Sequence, residues 1–196
     1  LTTLACPVCY ADYTLTPKTE LKEVTVALYL DEAYCYDRMT MPVRMGKIKS
    51  EGYETSWFGL KKQLVMSQSY DDSSAEWGYW YVSGNNAAIA SDNMLKRFVA
   101  CGALNFDFDE NRRKYILAYD KRENTSESFS GTFTVAFDDT VSIFYFGDWL
   151  KGYYFNEGKT ILDAIEDARA NKDKVFAKCE SFDRKLKKAA KPYGED

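Results

Sequence analysis

Apolar and polar side chains alternate with a period of two along much of the chain. In "KEVTVALYL", Val24, Val26, Leu28 and Leu30 alternate with Glu23, Thr25 and Ala27, the pattern of a strand with one buried face. Shorter segments around 43–49, 53–58 and 61–68 are separated by Gly52 and Gly59, which predicts strands joined by tight turns. In "EWGYWYVSG", residues 76–84, a strand would place Trp77, Tyr79 and Tyr81 on one face and Trp80 and Val82 on the other. Further on, "LNFDF", "RKYILAY", "ESFSGTFTVAF" and "VSIFYF" follow one another through short polar linkers, the sequence of a β-meander. Phe129, Gly131, Phe133, Val135 and Phe137 alternate there with Ser130, Thr132, Thr134 and Ala136, and so strict an alternation specifies the register.

Two segments change to a helical period. Ser91 is placed to cap a short helix carrying Met94, Leu95, Phe98 and Cys101 on one face, with Gly102 as its stop. Near the end of the chain, Thr160 and Asp163 have the spacing of a capping box. Beyond them Ile161, Ile165, Ala168, Lys172, Val175, Cys179, Phe182, Leu186 and Ala189 recur at alternating steps of four and three. That is one face of an amphipathic helix over about 160–190, with Lys172 as its polar defect, and its apolar stripe is expected to pack on the sheet. Residues 1–20, punctuated by Pro7 and Pro17, show little period and read as an amino-terminal arm. The remainder, 21–196, reads as a single β-rich domain. The expected fold is mainly β (α+β): an antiparallel β-barrel or curved meander sheet, with a short mid-chain helix and a long carboxy-terminal amphipathic helix.

Composition adds limits on function. The 196 residues are 45% apolar and 29% charged, ordinary for a folded domain. The longest mostly apolar run, Val135 to Phe146, is interrupted by Asp138 and Asp139, so no membrane span is expected. Net charge is −4, yet from Arg169 to Lys191 there are nine basic and three acidic residues. An acidic body with a basic end is not the positive surface that nucleic acid requires. Histidine is absent, which removes the commonest general base, histidine triads and histidine-ligated metal sites.

Cys6, Cys9, Cys35, Cys101 and Cys179 are the five cysteines. Apart from the first pair they are widely spaced, which suits long-range disulfides better than a zinc ribbon and leaves the pairing open. "CPVC" has no strand before it, and Tyr10 stands where c-type haem attachment needs histidine, so structural partners are favoured over a redox centre. The opening "LTTLAC" lacks both an initiator Met and a basic n-region. It reads as a trimmed product, and a secreted, extracellular or lumenal location is expected. Asn124-Thr125-Ser126 is a formal glycosylation sequon.

Candidate catalytic groupings do not assemble. Asp107, Asp109 and Asn111 resemble the start of a calcium loop, but Arg112 replaces the turn glycine and Ala118 the bidentate glutamate, so a hairpin is expected. Asp71-Asp72, Asp138-Asp139 and Glu166-Asp167 are neighbours in sequence and do not face each other as a glycosidase pair would. The chain contains no GxSxG, P-loop or GxGxxG motif. A non-enzymatic protein is expected, and no motif implies a cofactor.

The unusual figure is the aromatic content: 4 Trp, 15 Tyr and 12 Phe. Gly78-Tyr79-Trp80-Tyr81 resembles the Gly-x-Trp-Tyr motif of the lipocalin (calycin) family. That resemblance implies an antiparallel barrel with a carboxy-terminal helix and an apolar cavity. The first functional expectation is therefore a carrier of a lipophilic or aromatic small molecule, with Trp77, Tyr79, Trp80, Tyr81, Phe133, Phe144 and Tyr145 as ring contacts. The second is a structural or interaction subunit of an assembly, whose arm adds to a neighbour's sheet. The third is carbohydrate binding on an exposed Trp57, Trp80 or Trp149.

Overall fold

The computed structural model describes residues 7–31, 44–60, 78–101, 114–138, 143–152, 154–155 and 158–194. Alternation of the kind seen in the sequence produces strands β1 (Val8–Leu15), β2 (Leu21–Asp31), β3 (Arg44–Ser50), β4 (Tyr53–Leu60), β5 (Gly78–Gly84) and β6 (Asn86–Ser91). A short helix α1 (Asp92–Cys101) precedes β7 (Lys114–Thr125), β8 (Phe129–Asp138), β9 (Ile143–Tyr145) and β10 (Asp148–Leu150). Helices α2 (Ile161–Ala170) and α3 (Lys172–Ala190) close the described chain, followed by a 3-10 turn at Lys191–Tyr193. The protein is mainly β, with the expected mid-chain helix and carboxy-terminal helical segment.

The strands form two antiparallel sheets and a small hairpin. One sheet has the order β1-β8-β5-β4-β3, the other β2-β7-β6, and β9 pairs with β10. Among the described residues neither sheet closes into a barrel. Residues 8–15 of the expected arm lie along β8 from Val8 opposite Ala136 to Leu15 opposite Phe129, as an edge strand of the protein's own sheet.

The five-stranded sheet is the middle of three layers. Its face towards the other sheet contributes Phe58, Val82 and Phe133, which pack against Ile116 and Ala118 of β7 and the Val26, Leu28 and Leu30 row of β2. This is the apolar row of "KEVTVALYL", half-buried on the face its alternation requires. Ser56 crosses the same gap, its hydroxyl donating to the carbonyl of Leu117 at 3.0 Å. The opposite face of the five-stranded sheet holds Val8, Tyr81 and Ala136 under Ile161, Ala164, Ile165 and Ala168 of α2. Burying these side chains against the sheet is what holds α2 down, each large one contributing roughly 1.5–3 kcal/mol.

Close approach of β4 and β5 depends on glycine. A Cβ on Gly59 would lie 2.3 Å from the carbonyl oxygen of Gly78. No larger residue fits there without moving backbone.

The predicted long helix is two helices. Thr160 and Asp163 form the capping box that starts α2, with both reciprocal bonds present. Asn171, at φ −110° and ψ 15°, leaves the helical region between α2 and α3. The polar defect beside it, Lys172, reaches back to the sheet, where its ammonium group bonds Asp12 and Thr132.

Candidate functional site

The aromatic run lands on β5 and divides between the two layers as its alternation predicts. Tyr81 is buried on the α2 face and Tyr79 is half-buried beside it, edge-on to Trp57 at 5.8 Å. Trp80 points the other way, into the core between the sheets, with its ring 4.7 Å from that of Phe137. Phe133 is buried in that same core and stacks on Tyr13 at 5.3 Å. The four of these rings that are described, Tyr79, Trp80, Tyr81 and Phe133, therefore lie on opposite faces of one sheet rather than around one space. Trp77 lies outside the described residues. Phe144 and Tyr145 belong to β9 and Trp149 to β10, but their side chains are likewise outside what is described.

Burial shapes the tyrosines. The Tyr81 hydroxyl is pushed well above the ordinary phenol range, first by burial and then by the nearby charge of Asp138. Tyr13 is raised in the same direction by burial and by its hydrogen bond to Asp120. Two buried carboxylates thus take tyrosine hydroxyls as donors, Asp120 from Tyr13 and Asp138 from Tyr154 at 2.8 Å. The bond from Tyr13 satisfies Oδ2 of Asp120 and leaves its buried Oδ1 without a hydrogen-bond partner.

Among the described residues no three of Cys, Asp and Glu gather into a metal-binding group. Asp107, Asp109 and Asn111 lie outside them. Cys9, Cys101 and Cys179 are free thiols, and Cys6 and Cys35 are outside the described residues. Cys101 donates within its own helix to the Arg97 carbonyl. No helix among the described residues is long and apolar enough to cross a membrane.

The second candidate region is the elbow between α2 and α3 and the helix beyond it. Tyr10 donates its hydroxyl to the Ala168 carbonyl at 2.8 Å, and its ring meets Phe176 edge-on at 5.6 Å. Lys172 sits 5.3 Å over the Phe176 ring while bonding Asp12 and Thr132. Burial pushes the Asp12 carboxyl up, but the hydrogen bonds from Lys172 and Thr132 and the ammonium charge outweigh it and hold it below the usual range. On the other side of α2, Arg169 stacks over Tyr53 at 4.7 Å, and burial lowers the guanidinium's pKa. These contacts fix the first turn of α3 against β1.

Beyond that turn the helix leaves the sheet. None of the 19 residues of α3 is buried. Phe182 is 63% exposed and Leu186 56%, and Tyr193 just past the helix is 92% exposed. The expectation that the whole stripe packs on the sheet holds for α2 and fails for the far part of α3: Val175 and Cys179 are half-buried, whereas Phe182 and Leu186 are exposed. Sequence periodicity identified these residues as a stripe; which half of it meets the body was not encoded in the period.

No curated protein matches the chain. A family model described as a domain of unknown function (DUF5127) matches residues 1–189, and the chain belongs to that family.

Proposed function

We propose that this chain is a non-catalytic interaction module in which a three-layer β-rich body holds out α3 as a docking helix for another protein. The observation that carries the reading is the exposed end of the α3 stripe: Phe182 and Leu186 stand mostly in solvent on a 19-residue helix none of whose residues is fully buried. Contiguous apolar side chains left in water on an otherwise well-packed domain mark an interaction surface. The anchored elbow supports the same reading, because a helix held rigidly at its base loses little freedom on binding. Free histidine-based chemistry is unavailable to the chain, and the two buried carboxylates at Asp120 and Asp138 are engaged by tyrosine hydroxyls.

Cys179 lies on the stripe and reports its occupancy, while Cys9 and Cys101 are exposed thiols elsewhere. Maleimide labelling is compared between an extract of the source and the purified chain. Cys179 is expected to be protected in the extract and reactive after purification, with Cys9 and Cys101 reactive in both. Equal labelling of Cys179 in the two samples would sink the docking reading. Native mass spectrometry of the protein from its source adds a second arm: a small-molecule mass lost on denaturation would favour the carrier expectation instead.

A further inference from the structure

The docking reading leaves open what occupies α3, and this inference rests on it. We propose that the occupant is an acidic amphipathic helix of a partner protein, laid along α3 as the second strand of a short coiled coil.

Three features carry this. The first is the width of the stripe. Val175, Cys179, Phe182, Leu186 and Ala189 advance by four and three alternately, a mean period of 3.5 that keeps one narrow seam facing a partner helix. Phe176, the apolar residue beside the seam, is already engaged by Tyr10. A membrane surface needs a broad apolar face, whereas a seam with only core positions apolar is the geometry of helix against helix.

The second is the shape of the seam. Large Phe182 and Leu186 lie between small Cys179 and Ala189. That leaves holes on either side of the two knobs for the large side chains of a facing helix, as close packing of two helices requires.

The third is charge. Lys172 to Ala190 contains seven basic and three acidic residues. Lys178 and Lys185 take equivalent flanking positions one heptad apart, seven residues from each other along the edge of the seam. A second copy of α3 carries the same excess of seven basic over three acidic residues, and laid antiparallel it sets Lys178 and Lys185 against their own kind; laid parallel it offers them only Asp183 on the other flank. A helix with Glu or Asp along its flanks converts the same lysines into interhelical pairs that set partner choice.

The test uses the intact chain and two synthetic peptides of about 21 residues, three heptads with Leu at the core positions. One carries Glu at both flanking positions and its twin carries Lys. Fluorescence anisotropy is expected to show the acidic peptide binding about tenfold more tightly than its twin, a preference that shrinks between about 50 and about 300 mM salt. L186D should remove binding while leaving thermal unfolding unchanged. The charge-reversed variant K178E/K185E should transfer the preference to the basic twin, an inversion that apolar stickiness does not produce. Equal affinity for the two peptides, failure to bind either, stronger binding to phosphatidylserine-containing vesicles, or a chain dimer that excludes the peptide would each overturn the proposal. Protection of Cys179 in the extract together with any of these results rejects the acidic helix and keeps the docking surface. Loss of that protection rejects the docking surface itself.

Discussion

The hydroxyl of Tyr10 donates to the carbonyl oxygen of Ala168 at 2.8 Å, joining β1 to the last turn of α2 across 158 positions of sequence. With Phe176 edge-on to the same ring, Tyr10 is the post on which the elbow turns. Y10F keeps the ring and removes one hydrogen bond, a loss of about 1 kcal/mol. Urea unfolding should show a lower midpoint with an unchanged slope, and amide exchange in the first turn of α3 should accelerate more than exchange in β7.

Asp12 ties stability to pH. In the folded protein its carboxyl is held below the usual carboxylate range, because the hydrogen bonds from Lys172 and Thr132 and the ammonium charge outweigh the cost of burial. A depressed folded value means that the carboxylate's contribution is fully present above pH 3.8 and is lost as pH falls through the lower folded value. D12N should therefore be less stable than the parent at neutral pH, by less than about 1 kcal/mol because the pair is partly exposed. The gap should close as the solution is acidified through that range. A difference that stays constant down to strong acid would show that Asp12 acts through packing rather than charge.

Phe58 and Phe182 predict opposite responses to the same substitution. Phe58 is fully buried between the sheets, while Phe182 is mostly in solvent. F58A should cost about 3–5 kcal/mol by leaving a cavity. F182A should change the stability of the isolated chain by less than about 0.5 kcal/mol. Thermal and urea unfolding measure both, and a large loss from F182A would mean that α3 is packed in solution.

Two glycines separate steric from conformational need. G59A drives a methyl group into the Gly78 carbonyl oxygen and the Tyr79 backbone, and should destabilise the chain by about 1–3 kcal/mol through forced backbone movement. Gly52, at φ +77° in the turn between β3 and β4, has open space around it. G52A should cost about 1–2 kcal/mol, the penalty of the left-handed conformation alone. Substituting Asn at residue 52, which tolerates that conformation better, should recover part of the loss, whereas Asn at residue 59 should be worse than Ala.

The pattern of side chains carried the local structure far. Strict alternation at 24–30, 79–82 and 129–137 placed each side chain on its observed face, since strand geometry turns every second residue the same way. The Thr160–Asp163 spacing marked the start of α2 for an equally local reason: a capping box is complete within four residues. The break at Asn171 was not legible, because the apolar steps run through it uninterrupted. Next to it stands Lys172, whose position reads as a defect in a stripe until Asp12, 160 positions away, is brought beneath it.

By itself, then, the sequence determined the alternating strands, the start of the carboxy-terminal helical segment, which faces of these are apolar, and that histidine chemistry is absent. Tertiary structure alone decided that the aromatic run of β5 is shared between two faces of a middle sheet, that residues 8–15 are an edge strand of the same sheet, and that the stripe of α2 is covered while that of α3 is not. The physical reason is that periodicity reports on the backbone of one segment, whereas coverage depends on which distant segment arrives to meet it. Strand order, the β1–β8 pairing and the exposure of Phe182 and Leu186 are relations between segments, and no single stretch of the chain contains them.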